Sequence, residues 1–224
     1  MTEAWLQMIR DPNAWTAPQP LPAPIETDRL VVRLYQRGDG PRLFRAIQAD
    51  REALLPWMVW ARTDHQEEAD SIYYAERSRR KVAKPDCTDF PMVISERDSG
   101  DQLGGTGLHE VDTGLHTAEI GYWVRGDRHG QGICTEAIGA LISAGLRPTS
   151  EGGWGLRRII IFNAVANVAS RRVCEKLGLR LELRAKRDRY LGPEGVDGAP
   201  GYCDTLGFAV LRDEWDFERQ RGPG

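Results

Sequence analysis

TAEIGYWVRGDRHGQGICTEAIGALI, residues 117–142, is the stretch on which the fold turns. Its first eight residues alternate well enough for a strand over 117–124. A glycine turn follows, and from Gly132 the apolar residues Ile133, Ala137, Ile138, Leu141 and Ile142 recur at helical spacing. A strand that ends in glycines and feeds a helix presents backbone N–H groups without intrahelical partners at the positive end of the helix dipole, which is a ready anion site. Phosphate is the obvious guest. The turn lacks the Lys-Ser/Thr ending of a Walker loop and the third glycine of a Rossmann fingerprint, so taken alone it is as well read as a tight turn.

Working outward, RLVVRLY at 29–35 alternates as a strand and ends at the turn RGDG. A helix carrying Leu43, Phe44 and Ile47 should follow, and another from about Glu67 with Ala69, Ile72 and Tyr73 on its apolar side, stopped by Pro85. FPMVIS at 90–95 and QLGGTGLHEV at 102–111 read as a hairpin, with 117–124 as a third strand beside it. Beyond the central helix, LRRIIIFNAV suits a buried strand, 167–177 a helix ending at Gly178, and YCDTLGFAVL at 202–211 a last strand. Residues 1–24, with five prolines between Pro12 and Pro24, read as an extended arm before a single domain over 25–217, and 218–224 as a tail.

The 30 basic and 33 acidic side chains leave a formal charge of -3, so no global positive field holds nucleic acid or an anionic membrane, and a polyanion must be bound locally. Cys87, Cys134, Cys174 and Cys203 are widely spaced without a C-x-x-C pair, which suggests neither zinc nor a disulfide framework. The start, MTEAWLQMIRDPNAW, has no uninterrupted apolar run, and nowhere do about 20 apolar residues run together. The expectation is a soluble, cytoplasmic protein without a metal.

The glycine turn gains meaning beside NVASRRVCEKLGL, residues 167–179, which puts Asn167 and Ser170 in the first turn of a helix after a buried strand. Together these resemble the GNAT acetyltransferase superfamily, most closely its RimJ/RimL-type branch of ribosomal-protein N-acetyltransferases. The superfamily loop Q/R-x-x-G-x-G/A reads here His129, Gly130, Gln131, Gly132, Ile133, Cys134, followed by Thr135, Glu136 and Ala137. Further branch marks are ETDRLVVRL from residue 26, L-x-x-W at 54–57 before an acidic helix, AEIGYWV at 118–124, N-x-x-S-x-x-V-x-E-K-L-G at 167–178 and D-x-L-x-x-x-V-L-R-D-E-W at 204–215. The resemblance covers roughly residues 26–217. It implies an α/β fold (α+β by some schemes): a central, mixed, mostly antiparallel twisted sheet of about six to seven strands flanked by helices, with a splayed parallel strand pair forming the acetyl-CoA cleft. Many members of the branch are dimers, so a homodimer comes with the resemblance.

The implied reaction is acetyl transfer from acetyl-CoA to a primary amine by direct attack, with a protein N-terminal amine as the favoured acceptor. A small polyamine or aminoglycoside-like amine is the alternative, and an acyl-CoA sensor without turnover the second. The resemblance assigns the pyrophosphate to loop 129–134 and backbone N–H contacts, to the thioester carbonyl or the pantetheine, to the strand at 122–124, with Trp123 and Val124 as the cofactor-binding residues. It makes Ser170 the proton donor to the leaving thiolate; the residue-level alternative is a first-turn serine bonding local backbone. Asn167 is a helix cap, a CoA contact, or both.

Departures matter as well. His129 stands where Gln or Arg is usual, Leu179 where Phe is, and Cys174 where many members have a Tyr that protonates the thiolate, so another donor is required. A thiol at the helix start, Cys134, invites a lowered pKa and a cysteine-nucleophile reading primed by His129. The amine's base has two candidates: Glu119, sharing a sheet face with Gly121 and Trp123, and His109 near the end of the preceding strand. A carboxylate that some relatives carry near the chain end falls at Arg189. Trp57 and Trp60 wall the acceptor groove by resemblance, or are core. RSRRK at 77–81 reads as a solvated helix end.

Overall fold

The computed structural model describes residues 13–192 and 201–218. Eight strands form one sheet: β1 (Ile25–Glu26), β2 (Leu30–Leu34), β3 (Phe90–Glu96), β4 (Gln102–Asp112), β5 (Thr117–Val124), β6 (Arg158–Ala164), β7 (Arg180–Tyr190) and β8 (Tyr202–Leu211). Their spatial order is β1-β2-β3-β4-β5-β6-β8-β7. Every neighbouring pair is antiparallel except β5–β6. The strand count is therefore above the expected six to seven, and β7 is the strand the sequence conceals. Seven of its eleven residues are charged, and all are exposed or partly so. An edge strand keeps one side unpaired, and charge there discourages pairing with another chain.

Among the described residues five α-helices flank the sheet: α1 (Gly40–Gln48), α2 (Arg51–Leu54), α3 (Glu68–Lys81), α4 (Ile133–Leu146) and α5 (Val168–Lys176). In β3, Met92 and Ile94 belong to one apolar cluster and Val93 to another, so the period-two alternation divides the core between the two sheet faces. The larger cluster joins that face to α4, with Ile138, Leu141 and Ile142 wholly buried. The smaller gathers Leu43 and Ile47 of α1, Leu54 and Ala75 on the opposite face.

Helix α3 forms where expected but presents another side. Ile72 and Tyr73 are 43% and 69% exposed, while Ser71, Ala75 and Ser78 are buried. A Cβ on Gly40 would lie 2.5 Å from the Ile72 Cα and 2.7 Å from its Cγ1, so the start of α1 lies tight against α3 at Ile72. The first turn of α3 is fixed by a capping box between Glu67 and Asp70.

The proline arm also enters the body. Trp15 is 6% exposed, its indole N–H donates to the Trp154 carbonyl at 2.7 Å, and its ring meets Phe90 edge-on. Residues 1–12 of the arm and 219–224 of the tail lie outside the described residues. No helix among the described residues is long and apolar enough to cross a membrane.

Candidate active site

Strands β5 and β6 pair only through Thr117–Arg158, Ala118–Ile159 and Glu119–Ile160, although β5 continues to Val124 and β6 to Ala164. The sheet splits beyond that point, and a cleft of about 740 Å³ opens through the split. Arg125 N–H donates to the Leu103 carbonyl at 2.8 Å. The antiparallel ladder then turns the Trp123 N–H toward β4 and leaves those of Tyr122 and Val124 facing the split. Of the strand 122–124 expected to offer backbone contacts, Tyr122 and Val124 keep amides on the open side, whereas the Trp123 amide is turned to β4 and its side chain borders the cleft.

The loop after β5 is bent by Gly130 and Gly132, whose φ values of 74° and 80° disfavour any residue with a Cβ. The His129 amide is spent on the Gly126 carbonyl at 3.0 Å. Of the loop 129–134 expected at the pyrophosphate, the His129 amide is therefore already paired within the protein. Among the described residues none accepts from the amides of Gly130 through Thr135, and the first bond of α4 is Glu136 N–H to the Gly132 carbonyl. A group of unpaired N–H donors therefore stands at the positive end of a fourteen-residue helix. The His129 ring donates from Nε2 to the Val124 carbonyl at 2.9 Å, tying the loop to β5 rather than reaching outward as Gln or Arg would. The Gln131 side chain donates to the Asp127 carbonyl and, unlike Gly130, Gly132, Ile133 and Cys134, does not line the cleft.

Burial pushes the Cys134 thiol up to about 12, the reverse of the lowered value expected at a helix start. With the His129 ring engaged by Val124, nothing in this arrangement primes Cys134 as a nucleophile.

Ser170 sits across the split. Its amide donates to Asn167 Oδ1 at 3.0 Å, so Asn167 caps α5 as expected. Its Oγ accepts from Asn163 Nδ2 at 2.6 Å and donates to the Tyr122 hydroxyl at 3.0 Å, and that hydroxyl donates to the Ser170 carbonyl at 3.1 Å. Cys174, which stands where a catalytic Tyr was sought, lies 3.9 Å from the Tyr122 oxygen, so a phenol reaches that region from β5 instead. Burial raises the Tyr122 pKa far above its ordinary value and the Cys174 thiol to about 11; both stay protonated at neutral pH.

On the other sheet face His109 pairs in register with Glu119. Asp89 Oδ1 takes His109 Nδ1 at 2.6 Å, and Asp89 Oδ2 accepts from Lys81 Nζ at 2.8 Å. The His109 bond, opposed by partial burial and helped by Lys81, holds the Asp89 carboxyl down at about 2. An ionised carboxylate only accepts, so Nδ1 carries the hydrogen of this bond, and in the neutral form of the ring the other nitrogen is the acceptor. A Cβ on Gly107 would strike that nitrogen at 2.7 Å, whereas Gly121 leaves it room. Glu119 is half-buried, and burial raises its carboxyl against the opposing pull of Arg189. Trp57 and Trp60 line the cleft on this face, half-buried, and Trp60 meets Trp123 edge-on with centroids 6.0 Å apart. No cluster of three or more His, Cys, Asp or Glu suited to a metal occurs among the described residues.

Sequence reasoning missed Asp89, Asn163 and the hydroxyl of Tyr122 as parts of the site. Asp89 lies in a loop with no spacing signal and meets His109 only because β3 and β4 run side by side. Tyr122 was legible as a strand residue, but its partners come from a helix far along the chain.

The sequence model of the acetyltransferase (GNAT) domain matches residues 29–180. The chain belongs to the GNAT acetyltransferase family. As a GNAT domain it is an N-acetyltransferase with the mixed sheet and parallel pair described above. It is 27% identical over 192 residues to YdaF of Bacillus subtilis (strain 168), whose name puts it among ribosomal N-acetyltransferases, covering 86% of this chain and 96% of that one. RimJ of Mycobacterium smegmatis, solved with a CoA disulfide, superposes with a TM-score of 0.70 at 24% identity over 89% of this chain and 91% of that one. RimL, named a ribosomal L7/L12 alpha-N-protein acetyltransferase and solved with coenzyme A, gives 0.72 at 19% identity over 84% and 98%. At these identities the structural likenesses speak for the fold.

Proposed function

We propose that this GNAT domain moves the acetyl group of acetyl-CoA to the α-amine of a protein N-terminus. The observation that carries the reading is the row of unpaired amides from Gly130 to Thr135 at the mouth of the β5–β6 split. The diphosphate binds those amides, and the pantetheine runs into the split along the free N–H groups of Tyr122 and Val124. The thioester then lies between two sets of groups on opposite sheet faces. His109, oriented by Asp89, takes the proton from the attacking amine, with Glu119 next to it favouring a cationic acceptor. Ser170, its oxygen held by Asn163, turns its hydrogen from Tyr122 to the departing thiolate. No covalent enzyme intermediate is needed, and Cys134 stays a spectator.

The protein acceptor is favoured over a small amine by the names of the relatives, and the same reading assigns the work to the cytoplasm and allows a homodimer. The test is CoA release, followed with a thiol reagent, on a panel of peptides with free N-termini against polyamines and aminoglycosides. Release with peptides alone supports the reading; release with small amines alone moves the acceptor to that class. Tight acetyl-CoA binding without release on any acceptor would make the chain a sensor.

A further inference from the structure

Two stretches that the chemistry above does not use meet beside the loop. Thr27 and Arg29 come from the turn into β2, and Glu136 from the first turn of α4. Thr27 Oγ1 donates to Glu136 Oε1 at 2.6 Å, Arg29 Nε donates to Glu136 Oε2 at 2.7 Å, and Arg29 Nη2 closes on the same oxygen. Burial pushes the Glu136 carboxyl up, but the bonds from Thr27 and Arg29 outweigh it and keep the group ionised. A further guanidinium nitrogen, Arg29 Nη1, donates to the Gln131 carbonyl at 3.1 Å.

That last bond bears on the cofactor. In a planar trans peptide the carbonyl of one residue and the N–H of the next point in opposite directions. Fixing the Gln131 carbonyl toward Arg29 therefore aims the Gly132 N–H away from Arg29, on the cleft-lining side of the loop. Gly132, whose φ turns with this peptide, has the freedom to let it flip. The side chain of Arg29 is half exposed, so its charge is well screened, and orientation rather than long-range attraction is its main effect.

We propose that Arg29, anchored by Glu136 and Thr27, is a positioning residue for the diphosphate of acetyl-CoA, locking the Gln131–Gly132 peptide with its N–H toward the cleft. The proposal rests on the acetyl-CoA reading above. It separates from it because the lock bears on the diphosphate and not on the acetyl end.

The test compares the wild type with Arg29→Ala, Arg29→Lys and Arg29→Ala/Glu136→Gln, by calorimetric titration with CoA and by turnover with acetyl-CoA and with S-acetylpantetheine, which lacks the diphosphate. Lysine keeps the charge but cannot fork to both Glu136 and Gln131. Both Arg29 variants should weaken CoA about tenfold or more, the size of one charge-assisted hydrogen bond. Their kcat at saturating acetyl-CoA and their kcat/KM for S-acetylpantetheine should match the wild type. The double variant should bind no worse than Arg29→Ala, because the two side chains act as one unit. Wild-type CoA affinity in Arg29→Lys or Arg29→Ala would overturn the proposal, as would an equal loss with S-acetylpantetheine. No heat from the wild type itself would overturn the acetyl-CoA reading, and this role with it.

Discussion

At the scale of single residues, the account turns on which groups hold protons. His109 is presented as an acceptor because the ionised Asp89 occupies its other nitrogen. His109→Ala should lower kcat about 100-fold, a common size for lost general base catalysis, with CoA affinity unchanged by calorimetry. Asp89→Asn should lower it less. Activity intact in His109→Ala would pass the base role to Glu119. Ser170→Ala should reduce turnover about tenfold or more through the lost hydrogen bond to the thiolate, again at constant CoA affinity; an affinity loss with unchanged turnover would make Ser170 a binding residue. Cys134 gives the opposite expectation. Its thiol is pushed up to about 12, so it is protonated in the working range, and Cys134→Ser should retain full activity. Loss of activity there would reopen a thiol mechanism.

The sequence made the glycine loop, Asn167, Ser170 and His109 legible because each sits in a motif or at a strand end. What it could not give was the state of each group. The His129 amide is already paired, the Trp123 amide faces β4, and the Cys134 thiol is raised rather than lowered. Those facts depend on ladder phase and burial, which one-dimensional spacing does not carry.

At the scale of elements, alternating strands and the capped helices were readable, since burial on one face leaves a periodic trace. One strand was not, and one helix was read with the wrong side buried. In β7 both faces are exposed, so Leu181 and Leu183 alternate with charges without marking a core side. In α3 the buried stripe is Ser71, Ala75 and Ser78, small residues that carry no strong apolar signal, and the larger Ile72 and Tyr73 are left exposed. Filling that stripe should be destabilising. Ala75→Leu is expected to cost about 1–3 kcal/mol by overpacking, whereas Tyr73→Ser should stay within about 0.5 kcal/mol, both read from urea unfolding. The reverse ranking would mean that α3 packs on its apolar side.

At the scale of the whole molecule, the split sheet joins two half-sites that neither face contains alone: Ser170, Asn163 and Tyr122 on one side, His109, Asp89 and Glu119 on the other. The Asp89 link also affects stability. Its carboxyl is depressed from 3.8 to about 2 in the folded protein, so its stabilisation is present above the unfolded value and is lost as pH falls through about 2. Asp89→Asn should therefore unfold at a lower temperature than the wild type at neutral pH, with the gap closing between about pH 4 and pH 2. A gap independent of pH would remove the ionised pair from the account.

The central claim is that the unpaired amides from Gly130 to Thr135 receive a diphosphate. Calorimetric titration of the wild-type protein with coenzyme A and, separately, with pantetheine tests it most directly. The account predicts saturable binding of coenzyme A and far weaker binding of pantetheine, which has no diphosphate. Equal affinity for the two, or no heat with coenzyme A, would contradict it.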